Sequence, residues 1–149
     1  MKLRTLLLTS ILTLGILTTS LTAQIIEDNR ERETITSVGS NGNAFGMINR
    51  IEDTYYLKYK DVKYSYLKSY NEITIGDLES YRAFREIVLK FYNNPKRNGS
   101  KRFSLNGVDF VLSTFSKKSI RIFINYKGIE TGMGYWSIKK INKLLPKID

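Results

Sequence analysis

The chain contains no cysteine and no histidine, and each absence removes chemistry. Without cysteine no disulfide can staple the fold, whatever the redox state of its compartment, and no lipid can be attached through an N-terminal cysteine. Without histidine there is no Ser-His-Asp or Cys-His nucleophile arrangement, no zinc site built on Cys and His, and no side chain whose ordinary pKa lies near neutrality. Catalysis by Asp, Glu, Lys or Tyr remains open, and so does a metal site made of carboxylates alone. Proline is scarce, with 2 residues in 149, and tryptophan occurs once, at Trp136. The loop-like stretch Gly39 to Gly46 lacks the Lys-Ser/Thr step and the following helix of a phosphate-cradling loop. No cofactor is therefore expected.

The N-terminus has a recognisable pattern. Lys2 and Arg4 precede an apolar run from Leu6 to Leu17, and Thr18 to Ala23 is small and polar. A positive start, a short apolar core and a small-residue exit predict a secretory signal cut after Ala23. The dense apolar part is about 12 residues, short of the ~20 that span a bilayer. The Leu21-Thr22-Ala23-Gln24 junction resembles the cleavage junctions of exported bacterial proteins. Residues 1–23 are thus read as the signal, 24–33 as a charged flexible lead-in, and 34–149 as one domain, in a periplasmic or secreted protein. No transmembrane segment is expected after cleavage.

Charge comes next. The full chain carries +10, and losing Lys2 and Arg4 with the signal lowers this to about +8. A positive domain attracts anionic partners at long range, and exposed charges are screened beyond ~8 Å at physiological salt.

The periodicities predict strands, a helix, strands and a short helix. Thr34 to Val38 and Met47 to Ile51 read as strands. In Tyr55 to Lys60, Tyr55, Leu57 and Tyr59 share one face while Tyr56, Lys58 and Lys60 share the other. Val62, Tyr64 and Tyr66 continue the alternation, and Ile73 and Ile75 close the first β-rich stretch. Asp77 is a plausible N-cap for a helix striped by Leu78, Tyr81, Phe84, Val88 and Phe91. Pro95 to Arg102 reads as a basic exposed loop. Asn106-Gly107 is a strong hairpin signal, with strands over Val108 to Phe115 and around Ile120, Ile122, Ile124 and Tyr126. Gly128 to Gly134 reads as a glycine-rich loop or irregular hairpin. Ser137 is a plausible N-cap for a last short helix with Ile138, Ile141, Leu144 and Leu145. The two halves share a plan, each β-rich and ending in a helix. The expected fold is α+β: an antiparallel sheet of about six strands with one long and one short helix on one face.

Four groups of residues carry candidate chemistry. Tyr55, Tyr56, Tyr59, Tyr64, Tyr66 and Tyr70 interleave with Lys58, Lys60, Lys63 and Lys68, which suits either a stacking face or ordinary core and cross-strand packing. Lys96/Arg97/Lys101/Arg102, Lys117/Lys118/Arg121 and Lys139/Lys140/Lys143/Lys147 are basic clusters, each readable as a docking patch or a solvated surface. Glu52, Asp53, Glu72, Asp77, Glu79, Asp109 and Glu130 include no pair whose spacing forces an acid/base site. Trp136 beside a glycine-rich stretch is either an exposed anchor or a core seal. The candidate partner-binding residues are Tyr56, Lys58, Lys60, Lys96, Arg97, Lys101, Arg102 and Trp136.

These observations favour an exported, non-catalytic binding module. Its expected partner is an anionic polysaccharide, a lipid headgroup layer or an acidic protein. Nucleic acid is disfavoured because no recognition motif is present. An inhibitor or immunity-type protein that binds another protein is the first alternative, and a small carboxylate-based hydrolase the second.

Overall fold

The computed structural model describes residues 30–40, 43–64, 70–94 and 99–149. The expected signal segment lies outside them. Among the described residues no helix is long and apolar enough to cross a membrane.

The architecture is α+β, with two antiparallel four-stranded sheets in place of the expected single sheet of about six strands. The first sheet runs in chain order through β1 (Arg32–Ser40), β2 (Asn43–Ile51), β3 (Thr54–Tyr59) and β4 (Asn71–Gly76), and is followed by α1 (Leu78–Asn93). The second runs through β5 (Ser100–Leu105), β6 (Val108–Ser116), β7 (Ser119–Tyr126) and β8 (Ile129–Trp136), and is followed by α2 (Ile138–Leu144). The same plan, four meandering strands and a helix, thus occurs twice.

Two glycine-containing stretches prove more strand-like than expected. One extends the expected strands β1 and β2 toward their hairpin, and the other supplies β8, which was not expected as a full strand. Gly39 and Gly46 are paired residues of the β1–β2 hairpin, and Gly132 and Gly134 lie within β8. Glycine lowers strand propensity but leaves the backbone donors and acceptors free to pair, so tertiary context overrides composition. The expected basic loop is shorter than its composition suggests, because Lys101 and Arg102 belong to β5. Val62–Tyr64 forms one 3-10 turn, not the start of a strand. β1 begins at Arg32, inside the expected lead-in.

The helices interlock the sheets instead of lying on one face of one sheet. In α1 the buried residues Tyr81, Phe84, Val88 and Phe91 recur at spacings of three and four. Tyr81 stacks on Tyr55 of β3 at 5.0 Å between centroids, while Phe84 meets Phe110 of β6 at 5.0 Å and Phe103 of β5 at 6.1 Å. One helix therefore reaches both sheets, and full burial of a side chain such as Phe84 contributes about 1.5–3 kcal/mol. Asp77 caps α1, its Oδ1 accepting from the Ser80 amide at 2.8 Å. α2 follows the second sheet but packs on β1 and β2 of the first, and Thr36 Oγ1 donates to the Lys143 carbonyl at 2.6 Å. The carbonyls at and just past the C-cap of α2 are met by α1: Arg85 Nε donates to Leu145 O at 2.9 Å and Tyr81 Oη to Pro146 O at 2.8 Å. Both sheets and both helices contribute to one continuous apolar core.

The expected Asn-Gly hairpin is present and has a second task. Asn106 and Gly107 both take positive φ, 48° and 76°, as a two-residue turn matched to strand twist requires. The Asn106 side chain then reaches out of its own sheet and donates to the Ile75 carbonyl at the end of β4.

Candidate functional site

Three places bring charge and aromatic surface together. The first is the outer face of the second sheet. Alternation along β7 buries Ile120, Ile122 and Ile124 and turns Arg121 and Phe123 outward. The β7–β8 register sets Arg121 opposite Tyr135, and Phe115 of β6 closes in from the other side. The Phe115 and Tyr135 rings lie 4.0 Å apart between centroids, and the Arg121 guanidinium carbon sits 4.7 and 4.6 Å from them. Arg121 also donates a hydrogen bond to Tyr135 Oη. Both rings stay open to solvent, Phe115 at 51% and Tyr135 at 47% exposure. Farther along the same face Ser104, Asp109, Asn125 and Glu130 form one cross-strand row, with Ser104 Oγ bonded to Asp109.

The second place is Tyr70, just before β4. The ammonium groups of Lys58 and Lys60 each lie 5.3 Å from its ring centroid. Lys60 is only 8% exposed, and among the described residues its ammonium meets this ring and no carboxylate.

The third is a half-open cavity of about 210 Å³ at the seam between the sheets. Phe45 at the start of β2, Val62 of the 3-10 turn, Met133 and Gly134 of β8 and Trp136 make its apolar lining, with Lys60, Asp61 and Lys140 in its wall. The Lys140 ammonium stands 5.7 Å from the Phe45 ring centroid. Asp61 Oδ1 accepts from the backbone amides of Lys63 at 3.1 Å and Gly132 at 3.3 Å, which ties the turn to β8. Beside it, Tyr59 Oη and Thr131 Oγ1 are 2.6 Å apart. Burial pushes the Tyr59 hydroxyl pKa up, the Thr131 hydrogen bond opposes this, and the charge of Asp61 adds to the rise.

The sequence-derived candidates distribute unevenly over these places. Lys58 and Lys60 come together at Tyr70, and Lys60 also joins the cavity wall. Tyr56 is half-buried on the outer face of the first sheet, in a row with Thr34, Asn49 and Thr74. The Arg32–Glu72 ion pair joins the two edge strands across that face. Lys101 and Arg102 are exposed on β5, at the edge of the second sheet. Lys96 and Arg97 lie outside the described residues. Trp136 is not an exposed anchor: it is 1% exposed, and its indole N–H donates to Met133 O at 2.9 Å. The seven carboxylates named above are all exposed. Among the described residues no three acidic side chains gather as a metal site would need.

Sequence reasoning missed Phe45, Phe115 and Tyr135, and it placed Tyr70 and Arg121 only within the broader tyrosine and basic groups, not with the aromatic and cationic partners that the structure gives them. A signal for the Arg121–Tyr135 pairing was present, because a hairpin turning at Lys127-Gly128 brings Arg121 opposite a residue near Tyr135. Reading Gly128 to Gly134 as a loop or irregular hairpin, and not as a regular strand, hid it. No protein-family model, no curated protein and no solved structure matches the chain.

Proposed function

We propose that the chain is an exported, non-catalytic binding module whose partner is an anionic surface, with acidic polysaccharide as the best-fitting class. The observation that carries this reading is how its cations are held. Lys58 and Lys60 lie on Tyr70, Arg121 on Phe115 and Tyr135, Lys127 on Tyr126, and Lys140 on Phe45. A carboxylate partner would cancel each charge. A ring fixes the cation and leaves its charge uncancelled, at a gain of about 0.5–1 kcal/mol per exposed contact. A positive charge that is already positioned loses less freedom when an anion arrives. The net charge, about +8 once Lys2 and Arg4 leave with the signal, supplies the long-range attraction.

The polysaccharide preference rests on the outer face of the second sheet. Two exposed rings offer a sugar ring an apolar platform, Arg121 can meet a uronate carboxylate, and the Asp109, Asn125 and Glu130 side chains can meet hydroxyls. The exposed positions of the seven carboxylates support a binding role over acid/base catalysis, which needs at least one carboxyl group pushed up by burial or by a like charge. Export rests on the N-terminal pattern alone.

The test is retention of the purified domain on immobilised polygalacturonate, anionic vesicles and neutral dextran, each titrated with salt. Retention on polygalacturonate that falls steeply with salt, with none on dextran, supports the reading, because neutralising a charged polymer releases counterions. Preference for vesicles would move the partner to a lipid headgroup layer. Salt-insensitive binding to dextran would overturn the charge-led reading.

A further inference from the structure

We propose that the seam cavity is a binding site for a small organic monoanion with a compact apolar body, such as an arylalkyl carboxylate. The lining accounts for the body. Phe45, Val62, Met133 and Trp136 present carbon surface, and the volume of about 210 Å³ exceeds the ~150 Å³ of an apolar cavity that takes up benzene. One ring with a short side chain fits, and a drug-sized ligand does not.

The wall accounts for the charge. It holds two cations, Lys60 and Lys140, against one carboxylate, Asp61, so a single negative charge balances it. Asp61 is already engaged by the amides of Lys63 and Gly132, which leaves the lysines as the groups in want of a counter-charge. Lys140 is held over Phe45, 5.7 Å from its ring centroid, so cation and ring of one contact both belong to the lining.

The walls are also held in place. Gly134 takes a φ of 83°, and Val62 Cγ2 would stand 2.8 Å from any Cβ at that position. Only glycine lets the 3-10 turn close this tightly on β8. Asp61 ties the chain entering the turn to β8, and the Tyr59–Thr131 contact ties the end of β3 to β8. A cavity whose walls are pinned from both sides loses little on filling, because the ligand need not order them.

Trp136 is the only tryptophan in the chain, so its fluorescence reports this cavity without a label. The experiment titrates the protein with 3-phenylpropionate, with the neutral 3-phenylpropanamide and with the cationic 3-phenylpropylamine. The expected result is a saturable change with the carboxylate at a Kd of roughly 0.1–1 mM, with the amide at least about fivefold weaker and the amine weaker still. Lys140→Gln should remove most of the difference between carboxylate and amide while leaving amide binding in place. Val62→Phe, at an exposed wall position, should abolish both by filling the mouth, with an unchanged circular dichroism spectrum.

No saturable change with any of the three compounds up to about 10 mM would overturn the proposal. So would equal binding of carboxylate and amide, or binding that Val62→Phe leaves intact. Lys60, Tyr135 and Lys140 belong to both readings, but the two tests are read separately: saturable binding of a small carboxylate at Trp136 does not depend on retention on polygalacturonate. A protein can fail either test and pass the other.

Discussion

Trp136 of β8 packs so closely on Gly46 of β2 that a methyl group at position 46 would sit 3.0 Å from the indole Cη2 and 3.3 Å from Leu144 Cδ1. The two sheets and α2 therefore meet at a strand position where even a methyl group would force its neighbours to give by a few tenths of an ångström. In an ordinary strand, replacing glycine by a β-branched residue raises strand propensity. Here Gly46→Ala should destabilise by about 1 kcal/mol and Gly46→Val by about 2–3 kcal/mol, through overpacking. Urea denaturation followed by tryptophan fluorescence measures both. A Gly46→Val protein as stable as the parent would show that the contact is not tight.

Asn106 has two separable roles, the left-handed turn and the bond to Ile75 O. Asn106→Gly keeps the turn and loses the bond, and should cost about 1 kcal/mol. Asn106→Ala loses both, and should cost about 1 kcal/mol more, since alanine resists positive φ. Equal costs for the two variants would leave the turn conformation without weight.

Asp77 ties the start of α1 to a pH effect. The hydrogen bond from the Ser80 backbone amide, helped by its hydroxyl, holds this carboxyl below its ordinary value. A depressed folded-state pKa contributes stability that is present above the unfolded value, near 3.9, and is lost as pH falls through the folded value. The parent should melt a few degrees above Asp77→Ala at pH 7, and the gap should shrink below about pH 4. A gap constant from pH 7 to pH 2.5 would contradict the assignment.

Tyr59 and Tyr81 act at the other end of the scale. Burial raises both hydroxyl pKa values above the ordinary 10. Their neutral forms therefore contribute stability that is complete below about pH 10 and is lost as pH rises past it, because the unfolded chain ionises first. Thermal melts between about pH 8 and 11 should fall more steeply for the parent than for Tyr81→Phe. That variant starts lower, by about 1 kcal/mol, because it lacks the bond to Pro146 O.

The local elements were legible where one physical signal dominated. The stripe from Tyr81 to Phe91, the caps at Asp77 and Ser137 and the Asn106-Gly107 turn all stand where periodicity and turn chemistry place them. The division into two sheets was not legible, because it depends on α1 presenting Tyr81 to one sheet and Phe84 to the other, which no spacing in a single helix reveals. The site was legible only in part. Alternation brings Lys58 and Lys60 to one face, but that Tyr70 would receive both depends on the path of the chain into β4. Glycine composition concealed β8, and with it the partner of Arg121.

The most direct measurement of whether ring-held cations form the binding surface compares two triple variants of equal charge. In one, Lys58, Arg121 and Lys127, all lying on aromatic rings, are changed to Gln. In the other, the exposed Lys90, Lys139 and Lys143 are changed to Gln. Affinity for polygalacturonate is measured from about 50 to 200 mM salt. The ring-held triple should bind at least about tenfold more weakly at 50 mM salt and show a shallower salt slope, while the control triple stays within about threefold of the parent. Equal losses in the two triples would mean that net charge alone drives binding, and would contradict a surface built from cations held on rings.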